Sequence, residues 1–87
     1  MKIKDGFLLR NIAGNYVVVP IGKENIDFNG MVSLNGTGAF LFEKLQAGIT
    51  EEELIQALMQ EFEVSEETAK EDVKLFIQKV EKEGLFE

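Results

Sequence analysis

The sequence predicts an α+β fold, an N-terminal three-stranded antiparallel sheet followed by three helices. Three observations predict it. From residue 7 to 34 the chain is rich in β-branched and aromatic residues, broken by Gly and Asn, with an apolar period near two or a continuous apolar run. From Gly36 onward the apolar period becomes helical, and two helix starts carry recognisable caps. At 87 residues and 45% hydrophobic content, the chain supports a single domain, 1–87, around one modest core.

The first strand is FLLRNI, Phe7–Ile12, and the second is YVVVPI, residues 16–21. Ala13, Gly14 and Asn15 join them as a hairpin in which Gly14 and Asn15 tolerate positive φ. Pro20 has no ladder donor and belongs where a strand ends or is unpaired. Residues 22–25 make the next turn. Beyond it Ile26, Phe28, Val32 and Leu34 fall on even positions, so one face of the third strand is apolar. Gly30 shares that register and marks either a bulge or a second tight turn through Asn29-Gly30.

The first helix spans residues 36–46. Asn35 caps it directly after the strand, and Gly36 and Gly38 let its first turn lie close to another part of the chain. Ala39, Phe40, Phe42 and Leu45 are its apolar positions, and Gly48 ends it. Thr50 with Glu53 three residues later is a capping-box pattern, with Ile49 and Leu54 at the positions of a hydrophobic staple, so a second helix covers 51–62. Ser65 followed by Glu66 and Glu67 starts a third, running to about residue 83. Gly84 stops it, and Leu85 and Phe86 fold back over its last turn.

Two features stand apart from this grammar. If the strands form a meander in sequence order, the third has a neighbour on one side only. Its sequence, Met31, Val32, Ser33 and Leu34, has no charge and no proline, the usual devices that blunt an edge against pairing with another chain. Such an edge is either covered by the protein's own helix or kept open for a partner strand. In the last helix, Ala69, Val73, Phe76 and Val80 make a narrow core stripe bordered by Ile77. Leu75 lies roughly 130° from the centre of that stripe, on the flank of Asp72 and Lys79.

Charge and composition exclude much. Sixteen acidic against nine basic residues give a net charge of −7, with the basic residues scattered, which disfavours nucleic acid and anionic membranes as partners. Neither Cys nor His is present, which removes disulfides, thiolate and imidazole metal sites, Cys nucleophiles and His bases. No cofactor is called for. The glutamates at residues 51–53 and 61–67 lack the spacing of a calcium loop, and Gly36-Thr37-Gly38 lacks the Gly-Lys-Ser/Thr of a phosphate loop. There is no apolar run of signal-peptide or membrane-span length, so a cytoplasmic protein is expected.

Read together, DFNGMVSLNGTGAFLFEKL and TEEELIQALMQEFEVSEETAKEDVKLFIQKVEKEGLFE resemble the PqqD family, the small pyrroloquinoline quinone biosynthesis proteins D and their relatives. The resemblance rests on Leu34-Asn35, Thr37-Gly38, Phe40 to Phe42, Thr50 to Leu54, Glu63 to Ser65, Asp72-Val73 and Gly84-Leu85 in this order and spacing. It implies a winged-helix-like fold and a non-catalytic peptide chaperone, or RiPP recognition element. Such a protein binds the leader of a ribosomally made precursor peptide and presents it to a modifying enzyme, commonly a radical S-adenosylmethionine (radical SAM) protein. In the family the leader adds as a strand to the edge of strand three, in the cleft with the last helix. Carried onto this chain, that edge is Met31, Val32, Ser33 and Leu34. The helix wall, inferred from helical phase, is Asp72, Leu75, Phe76 and Lys79, with Phe76 also fitting the core. The chain ends at the last helix, so no fused enzyme is expected. Monomers and strand-exchanged homodimers are both compatible with an open edge.

Two other classes share part of this pattern. A winged-helix nucleic-acid-binding or transcriptional regulatory domain has the same architecture, but Glu66, Glu67, Glu71 and Asp72 against Lys70, Lys74 and Lys79 leave no basic stripe. A small acidic carrier protein matches the size and charge, with Ser65 as its attachment point, but requires an all-helical chain.

Overall fold

The computed structural model of the chain describes residues 1–21 and 32–87. Strands β1 (Phe7–Ile12), β2 (Asn15–Pro20) and β3 (Val32–Leu34) form an antiparallel sheet in the order β1-β2-β3. Helices α1 (Gly36–Ala47), α2 (Glu51–Phe62) and α3 (Glu66–Lys82) follow. The α+β order is the one the residue pattern predicts. The turn at 22–25, the positions of Ile26 and Phe28, the choice at Gly30, and Met31 lie outside the described residues.

The β1–β2 connection is tighter than the sequence predicts. Ala13 and Gly14 take φ of 53° and 85°, a two-residue turn of the primed kind that matches the twist of a hairpin. Asn15 is already in β2, opposite Ile12, so the second positive φ falls on Ala13 instead of Asn15. The Asn11 side chain accepts a hydrogen bond from the Gly14 amide at 3.1 Å and holds the turn. Such a turn closes on a hydrogen-bonded pair, and alternation then turns the amides of Asn15, Val17 and Val19 toward β1 and those of Tyr16 and Val18 toward β3. Pro20, last in β2, falls on the side facing away from β1, so its missing N–H leaves the β1–β2 ladder whole.

The helices begin and end as their caps dictate. The Asn35 side chain accepts from the Gly38 amide at 2.7 Å, and Gly48, with φ of 90°, closes α1. Thr50 and Glu53 form a reciprocal capping box at the start of α2. Ser65 accepts from the Thr68 amide at the start of α3. At its other end Gly84 takes φ of 73°, its amide bonds to the Glu81 carbonyl and that of Leu85 to the Val80 carbonyl, a Schellman closure that swings Leu85 into the core.

The core lies between the sheet and the helices. Val18 and Val32 from the sheet meet Leu41, Phe42 and Leu45 of α1, Leu54 and Leu58 of α2, and Ala69, Val73, Phe76 and Val80 of α3. The predicted α3 stripe is the buried set, and Ile77 is half-buried at its border. Leu41, fully buried, was not among the predicted core positions of α1. Ile3 is also buried, in a segment whose amides bond to the Leu45 and Leu85 carbonyls and whose Ile3 bridges Phe86. Its lone apolar side chain between Lys2 and Lys4 offers no period to read.

Candidate functional site

β3 is paired on one side only among the described residues. Val32 and Leu34 pair with Val18 and Tyr16, and alternation makes these the residues whose amides and carbonyls point to β2. Ser33 points the other way. Its side chain is exposed and its backbone faces outward, and the outward carbonyl accepts a hydrogen bond from Lys79 Nζ at 3.2 Å. Val32, buried in the core, contributes to the edge only as its anchor.

Between this edge and α3 runs a groove of about 300 Å³. Leu34, Asp72, Leu75, Phe76 and Lys79 line it together with Asn35, Thr37, Gly38 and Leu41. All four predicted helix-wall residues therefore line one groove with the end of β3. Leu75 is 57% exposed, the largest exposure among the big apolar side chains of the described residues, while Phe76 is 8% exposed and joins the core. Phe76 is thus a core residue that also lines the groove. Met31 lies outside the described residues.

The first turn of α1 supplies the rest of the floor, and the residue list read from the sequence lacked it. Asn35, Thr37 and Gly38 reach the groove because β3 passes into α1 through one residue. A Cβ on Gly38 would stand 3.3 Å from both Asn35 Oδ1 and Leu34 Cβ and 3.4 Å from Phe76 Cε1, so the glycine fits a place where a methyl would be tight. Gly36 has open space around it and plays no such part. The signal for these residues was present in the Asn-Gly-Thr-Gly run, which reads equally well as a helix start alone.

The electrostatics of the groove are set by two charges. Asp72 and Lys79 are seven residues apart on α3, about 10 Å along the helix axis, with Leu75 and Phe76 between them. Lys79 reaches toward β3 at Ser33, and Asp72 lines the groove about two turns earlier on α3. Among the described residues, no group of three or more acidic side chains is placed to hold a metal ion, and no helix is long and apolar enough to cross a membrane.

The family model of Coenzyme PQQ synthesis protein D (PqqD) matches residues 15–85 of this sequence. The chain belongs to the PqqD family. A PqqD-type fold is also what the solved structures share with it. TbiB1 in complex with the TbiA(beta) leader peptide superposes with a TM-score of 0.79 at 23% identity, covering 100% of this chain and 95% of that one. Lasso peptide synthetase B1 complexed with the leader peptide superposes with a TM-score of 0.73 at 19% identity, covering 97% and 93%. At these identities the likeness is one of fold. The comparison with curated proteins found no match.

Proposed function

We propose that this PqqD-family protein is a non-catalytic, cytoplasmic peptide chaperone. It binds the leader segment of a ribosomally made precursor peptide as an added strand on β3 and presents it to a modifying enzyme, a radical SAM protein being the class the family most suggests. One observation carries the reading. The edge of β3, unpaired among the described residues, and a groove with an exposed Leu75 lie side by side, so one extended segment can bond to the edge while its side chains fill the groove. The two solved structures of the same fold are each complexes with a leader peptide, which supports it.

The energetics require both halves of the site. Ordering a flexible segment costs about 2–5 kcal/mol, and a micromolar complex needs a net of about −8 kcal/mol. β3 is three residues long, and Ser33 is its one outward-facing residue, so main-chain bonds alone fall short. Burying one or two apolar side chains against Leu34, Leu75 and Phe76, at about 1.5–3 kcal/mol each, closes much of the gap. The groove favours no nucleic-acid reading, since α3 opens with Glu66 and Glu67 and carries Asp72 into the site.

The test is a titration of isotope-labelled protein with precursor peptides encoded beside its gene, followed by backbone amide shifts. Shifts at Ser33, Leu34, Leu75 and Lys79 are expected, together with loss of binding in Ser33→Pro, which removes the outward N–H while leaving the β2–β3 ladder intact. Proline at Val32 would instead break that ladder. Unmoved amides at these positions at high micromolar peptide would sink the proposal.

A further inference from the structure

Each outer edge of the sheet has a side chain placed over one of its carbonyls. On β1, Gln46 Nε2 donates to the Phe7 carbonyl at 3.1 Å. On β3, Lys79 Nζ donates to the Ser33 carbonyl at 3.2 Å. The two covers differ in kind. Gln46 is neutral and half-buried, whereas Lys79 is exposed, at the tip of a flexible four-carbon stem. Ion pairs among the described residues join Lys2 to Glu87 and Lys70 to Glu66, and Lys79 is in neither. Glu83, four residues further on at the end of α3, does not bridge it.

A strand added to β3 donates its own N–H to the Ser33 carbonyl and so competes with the ammonium for that oxygen. A lysine over an edge is also a common device against unwanted pairing. We propose that Lys79 is a detachable cover of the β3 edge, and that the segment replacing it carries an acidic side chain which receives the released ammonium. This inference rests on the strand-addition reading and names the chemistry of the segment.

Position follows from the geometry. Asp72, Leu75 and Lys79 line the groove in this order along α3, with Lys79 at Ser33, so a segment lying in the groove and running in the direction of α3 passes Asp72 first and Lys79 last. Residues on one face of an extended chain are about 6.7 Å apart. An apolar residue seated at Leu75 therefore puts the residue two positions C-terminal to it within reach of Lys79. That residue is Asp or Glu, and Asp72 disfavours an acid on the N-terminal side of the anchor.

Selection of a displayed library of random twelve-residue peptides against the wild type and Lys79→Met tests this. Wild-type binders are expected to share an apolar anchor with an acid two residues later, and Lys79→Met binders to keep the anchor and lose the acid. The best wild-type peptide and its Glu→Gln twin then complete a double-mutant cycle by calorimetry. The Glu→Gln change should weaken wild-type binding about fivefold, in a salt-sensitive way, and leave Lys79→Met binding nearly unchanged. Lys79→Arg should restore the preference for the acid. An equal Glu→Gln effect in both proteins, or wild-type binders without an acid, overturns the inference and leaves strand addition standing. Recovery of no peptide by either protein overturns the strand-addition reading and this inference with it.

Discussion

Leu75 breaks the helical pattern of α3, and it stands on the groove instead of in the core. Its removal therefore separates binding from stability. Leu75→Ser is expected to weaken leader-peptide binding by about ten- to a hundredfold, the loss of one buried leucine, while the urea midpoint of the free protein moves little. Calorimetry and equilibrium unfolding read the two effects. Two glycines two residues apart make a second contrast. Gly36→Ala places a methyl in open space at a helix start and should stabilise by about 0.4–1 kcal/mol. Gly38→Ala gains the same helix propensity but presses at 3.3 Å on Asn35 Oδ1, held as the helix cap, and on Leu34 Cβ, fixed by its place in β3. Overpacking of this kind costs about 1–3 kcal/mol, so Gly38→Ala should destabilise, with the sign difference visible in paired urea titrations.

At the level of elements, the caps were the most legible feature of the sequence, because each is a local pattern that names its own hydrogen bond. Asn35, Thr50 with Glu53, Ser65 and Gly84 all fall where their residue types require. The hairpin was legible as a hairpin but not in its turn, since Asn15 tolerates positive φ and Ala13 does not, and the closing pair Ile12–Asn15 overrode that preference. The capping box has a pH consequence. The Thr50 backbone N–H, and after it the Thr50 hydroxyl, hold the Glu53 carboxyl below its ordinary value of 4.5. A carboxyl with a depressed folded pKa adds stability above its unfolded pKa and loses it as pH falls through the folded one. The stability difference between wild type and Glu53→Gln should therefore be full above pH 4.5 and shrink below it, as thermal melts across pH 3 to 7 would show. Equal differences at all pH values would remove the carboxylate from this role.

For the whole molecule, the candidate site was legible in two of its three parts. The edge, unpaired among the described residues, follows from strand order and the wall from helical phase, both readable in the sequence. The floor from α1 and the closure by Ile3 depend on how distant segments meet, which no local period encodes. Ile3 shows what such a contact contributes. It is buried among the ends of α1 and α3, and Ile3→Ala should cost about 2–5 kcal/mol, read as a lowered denaturant midpoint. The same segment has a topological consequence. Lys2 accepts from the Glu87 amide and Ile3 bridges Phe86, so residues 1–3 and 86–87 run side by side. The backbone path is nearly a closed loop. A short linker could join residue 87 to residue 1 and the chain be opened at the Ala13-Gly14 turn, and the circularly permuted protein would keep the β3 edge, the groove and α3 in one uninterrupted stretch of chain.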